Sequence, residues 1–290
     1  MADHSDADSF VLYRYHPSLA AAAIFVVLFA LTTGLHIFQT IRKRSWFMTP
    51  FIIGGLFEFI GYIGRIMSSN DRYALSSYIM QTLLLLLGPA LYAASIYMIL
   101  GRLIQLTGGE RYSLVRRTWL TKIFVVGDVI SFMMQGAGGG IMSSGASGMK
   151  TGEKIIIGGL FMQILFFGLF FVTAIMFQIR GKEYLASLGS SVPWRKHLFA
   201  LYATSILILV RSVFRVIEYI QGNAGYLLRH EVFLYVFDAV LMFAVMVVLN
   251  VSHPGDIAIL LKNQRKELPQ EFEGLSDDSA ERGIANKVDR

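Results

Sequence analysis

Cysteine is absent from this sequence of 290 residues, and charged residues make up only 16% of it. Without cysteine the chain forms neither disulfide bonds nor thiolate metal sites. His36, His197, His230 and His253 stand singly, with no pair at the spacing of metal ligands. No Walker-type motif is present, and residues 231–251 contain no lysine to hold retinal. We therefore expect no metal ion, no cofactor and no enzymatic activity.

Long apolar runs dominate the sequence, which is 54% hydrophobic with a mean hydropathy of +0.55. Each run has the length of about 20 residues that a hydrocarbon layer of about 30 Å requires. The runs predict an all-α membrane protein, a bundle of seven transmembrane helices formed by residues 17–251. The predicted spans 1 to 7 cover about 17–41, 47–67, 77–101, 120–142, 155–179, 197–220 and 231–251.

The positive charges are distributed unevenly along the chain, which carries a formal net charge of +6. Seventeen of the 26 lysines and arginines lie in the segments that follow spans 1, 3, 5 and 7. By the positive-inside rule, this asymmetry predicts an external N-terminus and a cytosolic C-terminus. The basic residues thus indicate topology, and we expect no binding of nucleic acid.

Three segments outside the apolar runs carry separate expectations. Residues 1–16 contain three aspartates ahead of one arginine, so we expect an extracellular segment followed by an uncleaved first span. Residues 252–290 mix acidic and basic side chains with proline, which predicts a disordered cytosolic tail. Residues 136–152 are rich in glycine, which predicts a frayed end of span 4, an outer loop and close approach of span 4 to a neighbour.

Polar residues recur at helical spacing within five of the predicted spans. Such residues lie on one face of a helix, because positions three and four apart are neighbours on its surface. Pro89 removes one helix hydrogen bond and is expected to bend span 3. The residues predicted to bind or translocate a substrate are Glu58, Tyr62, Arg65, Tyr92, Asp128, Gln135, Arg211, Arg215, Glu218, Tyr235 and Asp238.

The energetic cost of charge in lipid predicts that these polar helix faces turn toward the interior of the bundle. A central arginine or aspartate costs roughly 2.5–3.5 kcal/mol, and a large apolar residue returns only about 0.3–0.6 kcal/mol. Span 6, with Arg211, Arg215 and Glu218, is marginal in a bilayer unless this face turns inward. We expect a polar interior that widens toward the outer leaflet. Two interpretations stay open: the charges bind a head group, or they form interhelical ion pairs that lock the bundle.

Several long motifs resemble one known family. They are EFIGYIGRI (58–66), LGPALYAASIYMILGRL (87–103), DVISFMMQGAGGGI (128–141), RSVFRVIEYIQGN (211–223), EVFLYVFDAVLMF (231–243) and HPG (253–255). In this order they resemble the fungal lipid-translocating exporter family, also called RTA-like proteins, over residues 10–255. The resemblance implies seven spans, an external N-terminus and export or flipping of sphingoid long-chain bases and phospholipids. It also implies resistance to toxic amphiphiles and, in one branch, movement of porphyrin or haem.

The functional hypothesis is a plasma-membrane protein that moves amphipathic lipids, with membrane lipids as its partners. A seven-span receptor that signals to a cytosolic partner is the main alternative, although the inner loops are short and lack DRY-like or NPxxY-like runs. A lipid hydrolase is a weaker alternative, because the sequence shows no metal or nucleophile cluster. The oligomeric state is not predicted.

Overall fold

The computed structural model describes residues 17–70, 75–142, 146–188, 193–222 and 225–264. Within these ranges the chain is helical, and seven helices are long and apolar enough to cross a membrane, as the sequence predicts. The first six are Leu19–Lys43, Thr49–Asn70, Leu75–Thr107, Arg117–Met142, Ala146–Arg180 and Trp194–Ile220. The last, Glu231–Gln264, consists of Glu231–Leu234, a π-helical segment Tyr235–Val240, Leu241–Val251 and the helical residues 255–264.

Both ends of span 1 follow from its local sequence. The side chain of Ser18 accepts a hydrogen bond from the backbone N–H of Ala21 at 3.3 Å, which caps the first turn. At the other end Arg44 takes a left-handed conformation with φ of 49°, and its backbone N–H returns to the carbonyl of Ile41. The two ends of the bundle are named after span 1, the Ser18 end and the Lys43 end.

The seven spans pack as a ring in chain order. Each span packs against its neighbours in sequence, and span 7 closes the ring against span 1. Span 3 also packs against span 6, so it lies across the centre of the bundle. The groups that face one another in the interior therefore come from spans 2, 3, 6 and 7.

The outer surface of the bundle is apolar. Large hydrophobic side chains point outward along the spans, such as Leu31 with 67% of its surface exposed and Met133 with 66%. A surface of this kind suits a lipid environment, because the hydrophobic effect does not oppose its exposure there. The long charged stripe of span 6 turns inward, as its cost in lipid predicts.

The structure differs from the sequence prediction beyond residue 251. The predicted disordered tail begins at residue 252, but residues 255–264 are helical. Ile257 and Leu261 of this helix are buried against the bundle, and Lys43 forms an ion pair with Asp256 at 2.5 Å. Apolar residues at helical spacing thus pack a further helical segment against the bundle after residue 251. The expectations for residues 1–16 and 265–290 lie outside the described residues.

Spans 4 and 5 approach each other closely at two glycines. A Cβ built on Gly138 would lie 2.7 Å from the carbonyl oxygen of Gly152. Helix Arg117–Met142 includes Gly136, Gly138, Gly139 and Gly140, although the glycine content predicts a frayed end there. The close approach of span 4 to a neighbour is confirmed, and only residues 143–145 of this connection lie outside the described ranges.

We predict that Gly138→Val destabilises the protein by about 1–3 kcal/mol, because the added side chain meets backbone that cannot rotate away. Gly139→Val is the matched control, since no atom lies within 4 Å of a Cβ built there. Thermal unfolding of the purified protein in detergent measures the difference. Equal melting temperatures for the two variants would contradict the prediction.

Candidate functional site: a buried ionic cluster

Arg211 joins three spans near the centre of the bundle. Its guanidinium Nε donates to the carboxylate of Asp238 on span 7, and the two groups form an ion pair. Its Nη2 donates to the carbonyl oxygen of Leu85 on span 3 at 2.7 Å. Arg211 and Asp238 each expose only 2% of their surface. One side chain of span 6 thus holds both of the helices that it faces.

Pro89 explains why the carbonyl of Leu85 is available to accept a hydrogen bond from Arg211. In an α-helix the carbonyl of residue 85 accepts a bond from the N–H of residue 89, but proline has no N–H. A carbonyl left without a donor inside a membrane costs several kcal/mol. Arg211 supplies the missing donor from a neighbouring helix. Span 3 therefore contributes a backbone carbonyl to the polar interior, in addition to the predicted Tyr92.

Asp238 lies in the π-helical segment Tyr235–Val240 of span 7. A π-helical turn inserts an extra residue into the helix, and such segments occur frequently at functional sites. The side chains of Tyr235 and Asp238 are both buried, facing spans 2 and 6. The local change of period thus places two polar groups of span 7 in the interior together.

A second ion pair lies at the Ser18 end. Arg65 of span 2 donates through Nη2 to Glu231 at 2.7 Å and through Nε to the hydroxyl of Tyr235 at 3.0 Å. Both oxygens of Glu231 also lie 2.9 Å from the backbone nitrogen of Ser18. Arg65 is fully buried. This contact ties the beginnings of spans 1 and 7 to the end of span 2.

Arg215 has its own acidic partner on the same helix. Its Nη1 donates to Glu218 at 2.6 Å, and its guanidinium lies 5.3 Å from the ring centroid of Tyr219. Arg211 and Arg215 therefore pair with two separate carboxylates in this conformation. The sequence left open whether they share one anionic head group.

Glu58 is a buried carboxyl group without an ion-pair or hydrogen-bond partner in the part of the chain that the structure describes. It is fully buried, and neither of its oxygens has a hydrogen-bond partner among the described residues. Gly88 makes room for it, since a Cβ built there would lie 2.8 Å from Oε1 of Glu58. The charges of Asp238 and Arg211 act on it through space. Glu58 thus lies next to the central ion pair without taking part in it.

Two tyrosines complete the surroundings of Glu58. Tyr62 and Tyr92 are fully buried, and neither hydroxyl has a hydrogen-bond partner among the described residues. Both tyrosines lie within electrostatic range of Glu58. Tyr62 also stacks on Phe25 and Phe29 of span 1, with ring centroids 5.5 Å apart in each case. We call the set of Glu58, Tyr62, Tyr92, Arg211 and Asp238 the ionic cluster.

Asp128 and Gln135 of span 4 lie outside the ionic cluster. Asp128 accepts a hydrogen bond from the hydroxyl of Tyr97 at 2.8 Å, and no basic side chain pairs with it among the described residues. Gln135 donates to Ser131 at 2.9 Å and to Gln163 of span 5 at 3.2 Å. The structure therefore corrects the expectation of one common polar interior. Spans 3, 4 and 5 form a separate polar contact.

The predicted recess toward the outer leaflet is closed in this structure. Glu58, Arg65, Arg211, Glu218 and Asp238 expose at most 3% of their surface. A cavity of about 440 Å³ lies instead near the Lys43 end. The described residues hold no group of three or more His, Asp or Glu side chains that could bind a metal ion.

Three features of the site do not belong to the predicted set. Glu231 completes the pair with Arg65, and the polar stripe of span 7 signals it, since Tyr235 and Asp238 follow at helical spacing. The backbone N–H of Ser18 and the carbonyl of Leu85 are main-chain partners. Pro89 is the sequence signal for the second of these, whereas nothing in the sequence indicates the first.

The fold and the site together define a class: a seven-helix membrane protein with a buried ionic cluster between spans 2, 3, 6 and 7. A family profile described as "RTA1 like protein" matches residues 51–259. The chain belongs to this RTA1-like family. No solved structure is significantly similar to it.

Three relatives illustrate the family. The chain is 41% identical to Protoporphyrin uptake protein 1 of Saccharomyces cerevisiae, over 89% of this chain and 97% of the relative. It is 32% identical to Probable lipid transporter atnI of Emericella nidulans, over 86% and 68%. It is 27% identical to Sphingoid long-chain base transporter RSB1 of Saccharomyces cerevisiae, over 82% and 72%.

We predict that Arg211→Met lowers the stability of the protein by about 3–5 kcal/mol, because it leaves Asp238 charged and unpaired in the interior. Adding Asp238→Asn should recover part of the loss, since the unpaired charge is then removed. Thermal unfolding in detergent measures both effects. Arg229→Met is the control, an exposed arginine near the Ser18 end. An Arg211→Met variant as stable as this control would contradict the role given to Arg211.

Proposed function

We propose that this protein moves amphipathic lipids, such as sphingoid long-chain bases, phospholipids or similar toxic amphiphiles, across or out of the plasma membrane. In this proposal the head group enters the ionic cluster while the tails remain in hydrocarbon. Such movement would contribute to resistance against stress and drugs. The names of two relatives, a probable lipid transporter and a sphingoid long-chain base transporter, support this direction.

The observation that carries the proposal is the unpartnered Glu58. Groups that only lock a bundle are expected to be paired, because an unpaired buried carboxyl group adds cost without adding a contact. Arg65, Arg211 and Arg215 satisfy this expectation, since each has a carboxylate partner. Glu58 does not, and ionisable residues of this kind within a membrane are candidates for substrate contact.

The pairing pattern favours a cationic head group. An ammonium group can meet the two oxygens of Glu58 without displacing any existing partner, and Tyr62 and Tyr92 add hydroxyls that accept further hydrogen bonds. An anionic head group would instead need Arg211 or Arg215 to leave its carboxylate. We therefore propose sphingoid bases and similar amines as the preferred substrates.

The proposed orientation places the Ser18 end outside the cell and the Lys43 end in the cytosol. It is supported by the charge distribution, since Arg42, Lys43, Arg116 and Arg117 are among the many basic residues at the Lys43 end. Glu58 and Tyr92 then lie near the middle of the membrane, and Arg211 and Asp238 lie slightly toward its outer side. This position suits release of a head group to the outer leaflet.

The direct test is reconstitution of the purified protein into lipid vesicles with labelled sphingoid bases or phospholipids, with and without a proton gradient. Flux of the sphingoid base that depends on the protein supports the proposal. Protein inserted in both orientations without flux of any labelled lipid would overturn it. Such a result would favour a receptor instead.

We predict that Glu58→Gln reduces sphingoid-base flux at least about tenfold, because the amide no longer attracts an ammonium group. Its melting temperature should stay within the range of surface variants, since no hydrogen bond is lost. Glu183→Gln is the matched control, an exposed glutamate outside the bundle. Unchanged flux in the Glu58→Gln variant would contradict a role in substrate binding. A loss of stability as large as that of Arg211→Met would show that Glu58 locks the bundle.

A further inference from the structure

A cavity of about 440 Å³ lies at the Lys43 end, apart from the ionic cluster. Its walls come from the end of span 3, the beginning of span 4 and the helical residues 255–264. Along span 3 it extends from Met98 to Gln105, which is about 10 Å at the rise of an α-helix. The cavity therefore begins at the level of the helix ends and reaches into the membrane region.

Three basic residues from three different elements line this cavity. They are Arg102 on span 3, Arg117 on span 4 and Lys262 on the last helical segment. None of the described residues in its lining is acidic. Glu110 pairs with Arg117 at 2.9 Å from outside the lining, so it offsets only part of the charge. The beginning of helix Arg117–Met142 adds the positive end of its dipole.

Apolar and small residues line the cavity beside the basic ones. Met98 and Leu261 contribute apolar side chains, and Gly101 and Ala258 are small. A cavity with both basic and apolar walls matches a ligand with an anionic head and a hydrocarbon tail. A soluble anion would use only the basic groups.

The wall that carries Lys262 is held in place by contacts at both of its ends. Lys43 pairs with Asp256 at 2.5 Å, and the side chain of Gln264 donates to the carbonyl of Leu106 at 3.3 Å. Ile257 is fully buried between these contacts. The ring of Phe47 similarly holds Arg102, whose guanidinium lies 4.0 Å from the ring centroid. The helical segment that carries Lys262 and the guanidinium of Arg102 are thus positioned before any ligand binds.

We propose that this cavity binds the phosphate head group of an anionic phospholipid from the leaflet at the Lys43 end. Arginine binds phosphate oxygens through its planar set of donors, and lysine contributes a compact positive charge. The phosphate meets Arg102, Arg117 and Lys262, and the glycerol and first acyl carbons lie along Met98 and Leu261. This site is separate from the ionic cluster, and its existence does not depend on transport.

The test is a binding titration of the purified full-length protein in a neutral maltoside detergent, followed by native mass spectrometry. The probes are dioctanoyl phosphatidic acid, dioctanoylglycerol and inorganic phosphate. We expect phosphatidic acid to bind at least about tenfold more tightly than dioctanoylglycerol, because only the former carries the charge. Lys262→Glu should weaken its binding at least about tenfold. Lys182→Glu, an exposed lysine at the same end but outside the lining, should change it less than about twofold.

Ala258→Trp tests the cavity without changing any charge. The indole should fill the space between spans 3 and 4 and remove binding of phosphatidic acid, while an unchanged melting temperature shows that the protein remains folded. Normal binding in this variant would overturn the assignment. Equal losses of affinity for phosphatidic acid in the Lys262→Glu and Lys182→Glu variants would also overturn it, because the lipid would then be attracted by the overall positive charge of this end and not by the cavity. Displacement of phosphatidic acid by an equal concentration of inorganic phosphate would overturn the choice of a lipid.

Discussion

The guanidinium of Arg211 satisfies two acceptors that would otherwise be left alone in the middle of a membrane. One is the carboxylate of Asp238, and the other is the carbonyl of Leu85 that Pro89 deprives of its helical donor. In lipid no water is available to either acceptor, so both depend on the same side chain. Arg211 therefore adds polar contacts that join spans 3, 6 and 7 to the packing between them. Pro89 in span 3 leaves a carbonyl without its helical donor, and Arg211 in span 6 supplies the donor.

Among the described residues, the remaining charges that spans 2, 6 and 7 turn inward divide into paired groups and the unpaired Glu58. Arg65 pairs with Glu231 between spans 2 and 7 at the Ser18 end, which fits the interpretation that buried charges lock helices together. Arg215 pairs with Glu218 within span 6 and joins no second helix. Glu58 is the residue to which we assign the proposed head-group contact, because Gly88 leaves space for it and neither of its oxygens has a hydrogen-bond partner among the described residues. In this proposal the two interpretations that the sequence leaves open apply to different residues.

Sequence patterns predicted the number of spans and which face of each helix turns inward, because hydrophobic length and helical period are local properties. They did not predict which helix each face would meet. Asp128 resembles Asp238 in sequence context, yet it pairs with Tyr97 in a separate contact between spans 3 and 4. That choice depends on the order of helices around the ring and on the central place of span 3. The same limit applies to Leu85, since a main-chain acceptor has no sequence signature beyond the proline four residues later.

A closed cluster also constrains how a head group could reach it. Separation of span 3 from span 6 breaks the bond from Arg211 to Leu85, which as a charged hydrogen bond contributes about 1.5–3 kcal/mol. The ion pair with Asp238 need not break in this step, because it joins spans 6 and 7 and does not involve span 3. Gly88 and Pro89 lie at the same level as this bond and provide the point at which span 3 bends most easily. Opening beside span 3 would therefore expose the unpaired carboxyl group of Glu58, which packs against Gly88 of that span.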